Sequence, residues 1–126
     1  MTAIAAIDRA ITQEQIGRYA EASGDYNPIH IDPEFAATTP FGGTIAHGML
    51  VLAMLGELMH AAHGDAWLHS GTLKVRFKAP TRPGDTVTAS AGDAKDADGR
   101  REFAAQCANQ AGEVLIEGRA GVSAAR

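Results

Sequence analysis

The chain is short of the residues that several common chemistries need. It has a single cysteine, Cys107, which excludes an intramolecular disulfide and any cysteine-based zinc cluster and suits a reducing compartment. Positive charge is in deficit: 11 Lys and Arg face 15 Asp and Glu, for a formal net charge of -4. No overall basic field therefore exists to hold nucleic acid or an anionic membrane. The longest apolar run, Met49 to Leu55, is far short of the roughly 20 residues that span a bilayer. The opening "MTAIAAIDRAIT" lacks the basic segment and long apolar run of a signal peptide, so the expected location is cytoplasmic. No linker, repeat or low-complexity segment divides the 126 residues, and a single domain over 1–126 is expected.

What is present is 45% hydrophobic and 21% charged residues, close to a globular average, arranged in legible periods. Thr12 and Gln15 fit a capping box, with Ile11 and Ile16 as a hydrophobic staple, and Gly24 is placed to stop that first helix. Asp32 and Pro33 start a second, short helix as cap and first residue. "TTPFGGT" is a loop. From about Ala46, "AHGMLVLAMLGELMHAAHG" is apolar on nearly every side through Leu55, as in a helix surrounded by protein, and Gly64 ends it. The period then changes to two. In "TLKVRFKAP", Leu73, Val75, Phe77 and Ala79 alternate with Thr72, Lys74, Arg76 and Lys78. After the "TRPGD" turn come two strands joined near Asp98 and Gly99, then a last strand in "AGEVLIEGRAGVS". One short strand, helices, a long buried helix and four strands without further helices imply an α+β domain whose antiparallel sheet wraps a central helix. Its open edges favour pairing with a second copy, a homodimer.

Polar residues concentrate in "SGDYNPIHID". Asp25, Asn27 and His30 supply a carboxylate, an amide and an imidazole, on a loop opened by Gly24 and bent at Pro28. Either they satisfy the backbone of a turn, or the bend converges them on a substrate. "AHGM" places Gly48 in the first turn of the long helix, where glycine costs about 1 kcal/mol relative to alanine in a helix interior. Close packing against the sheet is one reason for it. Approach of a ligand carbonyl to a backbone N–H at the positive helix end is the other.

Together, "SGDYNPIH" and "AHGML", continued by "HIDPEFAATTPFGGTIAHGML" and "FKAPTRPGDTV", resemble the MaoC-like dehydratases, and most of all the (R)-specific enoyl-CoA hydratases. The likeness runs from Ile11 to Val122. It implies a hot-dog fold, a dimer with joined sheets, and acyl-thioester sites near the subunit interface. By that resemblance Asp25 and His30 are the catalytic pair, and Asn27 positions a water or orients its neighbours. The Gly48 N–H is then the oxyanion donor. The implied substrate is a trans-2-enoyl thioester of coenzyme A or of acyl carrier protein. No metal and no cofactor beyond that thioester are implied.

For the acyl chain, Met49, Leu52, Met54 and Leu55 are candidates alongside their role as core. Relatives often carry a small polar residue near the position of Gly56, and glycine there could lengthen the pocket. His47 is grouped with the substrate-binding residues, as the side chain that fixes the helix entrance rather than performing chemistry. Lys74, Arg76, Lys78 and Arg82 either meet the phosphates or acidic surface of the carrier or form a solvated face. His60 and His63 complement a helix end. Trp67 and His69 have no telling spacing, and Cys107 reads as a small core residue. Two rivals stand beside the hydratase. One is a hot-dog thioesterase using a carboxylate within the helix, where Glu57 sits. The other is a non-catalytic acyl-thioester-binding subunit of a heterodimeric dehydratase.

Overall fold

In the computed structural model residues 3–124 are described, so Met1, Thr2, Ala125 and Arg126, the outermost positions of the expected 1–126 domain, lie outside the described residues. Strand β1 (Ile7–Ala10) leads into helices α1 (Gln13–Ser23), α2 (Pro28–Ile31) and α3 (Pro33–Ala37). The long helix α4 (Gly48–His63) and the short α5 (Asp65–Ser70) follow. Strands β2 (Thr72–Phe77), β3 (Thr86–Ala97), β4 (Arg100–Ala108) and β5 (Val114–Ser123) complete the described chain. The five strands form one antiparallel sheet in the order β1-β3-β4-β5-β2. A sheet packed on one long helix is the expected α+β arrangement.

Local signals account for most element ends. Thr12 Oγ1 accepts the Gln15 N–H at 3.1 Å, and both staple residues, Ile11 and Ile16, are buried. Only half of the capping box forms, because Gln15 Oε1 is buried without a partner among the described residues. Gly24 closes α1 at φ 78°, with its N–H on the Ala20 carbonyl, a left-handed conformation that strains other residues. Asp32 caps α3 through the N–H groups of Glu34 and Phe35. The β3–β4 hairpin turns at Asp98 (φ 52°) and Gly99 (φ 75°), as a tight two-residue connection requires.

The core lies between α4 and the sheet. Val51, Met54, Leu55, Leu58 and Met59 of the helix meet Val87, Phe103, Cys107, Ile116 and Val122. Burying each large aliphatic side chain contributes about 1.5–3 kcal/mol. Three expectations need correction. α4 is not enclosed on every side: Met49 is 58% exposed, since one sheet covers only one stripe of a helix. The helix begins at Gly48 rather than Ala46, because the Ala46 N–H is drawn to the Thr81 carbonyl at 2.7 Å and His47 is extended. The segment before β2 is helical after all. α5 has too few residues to show a helical period, and its Trp67 packs on the core cluster. Leu73 and Val75 of β2 also pack on that cluster, as the alternation requires. Phe77 does not: at 56% exposure it lies over Gly48. No helix among the described residues is long and apolar enough to cross a membrane.

Candidate active site

The turn after α1 is locked by its own side chains. The Asp25 N–H donates to Ser23 Oγ at 3.2 Å, the Asn27 N–H to Asp25 Oδ1 at 3.2 Å, and the Ile29 N–H to Asn27 Oδ1 at 3.1 Å. Asp25 and Asn27 thus each give one oxygen to the backbone, as turn residues do. Asn27 caps α2, a single turn started by Pro28 and too short for sequence periodicity to reveal. That turn carries His30. Asp25 keeps its second oxygen, Oδ2, for another partner.

His30 Nδ1 lies 2.9 Å from the Ile45 carbonyl. A carbonyl only accepts, so Nδ1 bears the hydrogen, and in the neutral ring Nε2 is left as the acceptor. Nε2 stands 3.9 Å from Asp25 Oδ2, too far for a direct hydrogen bond. Both atoms can instead contact one water at about 2.8 Å. The His30 main chain is held as well. Gln13 Nε2 donates to the His30 carbonyl at 2.8 Å, and Thr44 Oγ1 donates to Gln13 Oε1 at 2.7 Å. Gln13, Thr44 and Ile45 carry no sequence signal, because their partners lie 15 to 31 positions away.

His47 sits behind this pair rather than on a wall open to substrate, at 2% exposure. Its Nε2 donates to the Asp25 carbonyl at 3.0 Å. Its ring stacks on His30 with centroids 3.9 Å apart and meets Tyr19 edge-on at 4.8 Å. Asp25, His30 and His47 offer potential ligand atoms within 4.8 Å of one another. Stacked rings, however, send their in-plane lone pairs side by side, whereas a metal needs them convergent. The trio does not fit a metal ion.

Gly48 opens α4, and its cap residue His47 makes no side-chain capping bond. The Leu50 N–H turns back to the His47 carbonyl at 3.1 Å, which leaves the Gly48 and Met49 N–H groups as donors at the positive helix end. Gly48 lines a cleft of ≈ 340 Å³ with Phe41, Val51, Phe77, Lys78 and Thr81. Packing also explains the glycine, since a Cβ there would sit 2.8 Å from Phe77 Cε1. Met49, Leu52 and Gly56, the acyl-binding candidates, do not line this cleft. Gly48 and Val51 form the stripe that faces it; Met49, Leu52 and Gly56 follow the same helical spacing on the next stripe. Met54 and Leu55 are core.

The four candidate cations separate. Lys78 lines the cleft, and the Arg82 guanidinium reaches the loop at Gly43. Lys74 and Arg76 lie on the other face of the sheet, over a hollow of ≈ 670 Å³ shared with Glu117 and Arg119. Glu57 is not a free carboxylate. Arg9 grips both of its oxygens at 2.8 and 3.0 Å, and these hydrogen bonds hold its carboxyl below the ordinary value.

Comparison with known proteins identifies the family. The MaoC-like domain model matches residues 2–114, and the chain belongs to that family. A 3-hydroxyacyl-thioester dehydratase Z of Mycobacterium tuberculosis is 45% identical over 84 residues, which make up 64% of this chain and 56% of that protein. The chain thus spans little more than half the length of the mycobacterial relatives it matches. An (R)-specific enoyl-CoA hydratase of Rhodospirillum rubrum is 36% identical over 124 residues, 94% of this chain and 83% of that one. The solved (R)-hydratase of A. caviae, described as involved in PHA biosynthesis, shares the hot-dog fold at TM-score 0.80. It is 26% identical, with 98% of this chain and 96% of that one covered.

Proposed function

We propose that this chain is an (R)-specific hydratase of trans-2-enoyl thioesters that also dehydrates the (R)-3-hydroxyacyl product. The observation that carries the reading is the 3.9 Å gap between Asp25 Oδ2 and His30 Nε2, with the His30 tautomer set by Ile45. Water is a weak nucleophile. One member of the pair removes its proton as oxygen attacks the β-carbon, and a proton is delivered to the α-carbon on the same face. Negative charge moves onto the thioester oxygen meanwhile, and the Gly48 N–H is the donor we assign to it. The reaction balances without a redox partner: the π bond and one O–H bond of water break, and a C–O bond at the β-carbon and a C–H bond at the α-carbon form. Dehydration runs the same steps backwards.

The substrate carrier in this reading is coenzyme A or acyl carrier protein, and the reaction takes place in the cytoplasm. The open strands β1 and β2 and the uncovered apolar side of α4 support a homodimer. The thioesterase alternative is weakened because Arg9 already holds Glu57. A silent subunit would need none of Asp25, Asn27 and His30.

Crotonyl-CoA tests the proposal. Loss of enoyl absorbance without free thiol, and an (R) product on chiral analysis across a C4-to-C12 series, are expected. Asp25→Asn and His30→Ala should each abolish turnover. Thiol release with the double bond intact, or unchanged turnover in both variants, would overturn the assignment.

A further inference from the structure

Among the described residues, His47 and Thr81 are the buried polar side chains, and His47 has only one of its two ring nitrogens hydrogen-bonded. Its Nδ1 has no partner among the described residues. A buried polar atom without a hydrogen bond is costly, and an apolar side chain of similar volume would avoid that cost. The imidazole therefore needs a reason to be there.

We propose that His47 is a positioning residue that aims both members of the reacting pair at once, one through a hydrogen bond and the other through a ring face. This rests on Asp25 and His30 being that pair. Asp25 is held at three points: its N–H by Ser23, its Oδ1 by Asn27 and its carbonyl by His47 Nε2 at 3.0 Å. Oδ2 is what remains free. His30 is restrained in two directions. The in-plane bond from Nδ1 to the Ile45 carbonyl sets where the ring points. The stack on His47, at 3.9 Å and 26° between planes, opposes rotation out of that plane. Nε2 is left facing Asp25 Oδ2.

Sequence adjacency makes this one device. Ile45, Ala46, His47 and Gly48 are consecutive, and the segment is anchored by Ile45 N–H to the Ile29 carbonyl at 3.2 Å and Ala46 N–H to Thr81 at 2.7 Å. One short stretch therefore orients His30, holds Asp25 and begins the helix whose first N–H is the assigned oxyanion donor.

The two contacts are separable by substitution. His47→Gln keeps an N–H donor near the Nε2 position but has no ring. His47→Phe keeps the ring and the buried volume but has no donor. Steady-state hydration of crotonyl-CoA and thermal melting would be measured for both. Misplacing a reacting group by about 1 Å costs on the order of 100-fold in rate. His47→Phe should therefore lower kcat by about 100-fold with KM within about threefold, and His47→Gln should recover roughly tenfold of that loss. The inference is overturned if both variants keep kcat near wild type, or if KM rises while kcat holds, which would make His47 a substrate contact. If a variant does not fold, imidazole ¹⁵N NMR of the wild-type protein decides. The proton of His47 on Nε2 and that of His30 on Nδ1 support the device, and a His47 proton on Nδ1 overturns it. A wild-type protein without hydratase activity would refute the functional reading instead, and the NMR result would still report on the bond to Asp25.

Discussion

Replacing Gly48 with alanine separates the two reasons for a glycine at the start of α4. A Cβ there would lie 2.8 Å from Phe77 Cε1, 3.1 Å from Cδ1 and 3.4 Å from Cζ, inside the ~3.5–4.0 Å of relaxed carbon contact. Overpacking a closed core costs about 1–3 kcal/mol. Phe77, however, is 56% exposed and free to swing, which puts the cost at the low end. The helical preference for alanine over glycine offsets up to about 1 kcal/mol of it. Stability should therefore change by less than about 1 kcal/mol, or roughly 4 °C in Tm. Activity should fall much further, because the methyl group occupies the cleft beside the first helical N–H. Loss of such a donor costs about 10²–10³ in rate. Crotonyl-CoA hydration and melting would be followed in Gly48→Ala, Phe77→Ala and the double variant. If the glycine admits the thioester oxygen, the double variant stays about 100-fold below Phe77→Ala. Recovery to the Phe77→Ala rate would refute this and leave Gly48 as a seat for the ring.

Two further perturbations test other assignments. Glu57→Gln breaks the exposed pair with Arg9 and should cost about 1 kcal/mol or less while leaving turnover intact; a collapse in turnover would reinstate a helix carboxylate as catalytic. Because Arg9 lowers the Glu57 pKa, the stability difference between wild type and this variant should be present at neutral pH. It should fade as pH falls through the folded-state value, which denaturant titrations at pH 7 and 3 would show. Burial pushes the Cys107 thiol up to about 11. Iodoacetamide at pH 8 should therefore label it only after unfolding, and equal labelling of folded protein would contradict the packing. Stability should also decline as pH rises from about 9 towards 11, where the unfolded chain alone loses that proton.

Features that depend on a few neighbouring residues are legible in the sequence. The Thr12 cap, the Asp32–Pro33 start and the Asp98–Gly99 hairpin all form where the chain signals them. So does the sheet, because alternation needs only one strand to be seen. Of the three short helices, α2 and α5, with four and six residues, complete too few turns to show a period, and the five-residue α3 is legible only through its Asp32–Pro33 start. The apolar α4 conceals its orientation for the opposite reason: with hydrophobic residues all round, periodicity cannot say which stripe the sheet covers. The cleft at the helix entrance is faced by Gly48 and Val51, and Met49, Leu52 and Gly56 lie on the neighbouring stripe.

The sequence by itself determined the inventory of the candidate site: a carboxylate, an amide and an imidazole on a bent loop, and a glycine at a helix entrance. It also determined that the loop is a turn, because Asp25 and Asn27 bind backbone groups only two positions ahead. Only the tertiary structure decided which atoms of the candidate site are left for the proposed chemistry. The Ile45 carbonyl sets the His30 tautomer, His47 holds Asp25 from behind, and Arg9 occupies Glu57. Each of those contacts joins residues 15 to 48 positions apart. Such pairings follow from how α4 and the sheet close around the core, and local sequence carries no record of them.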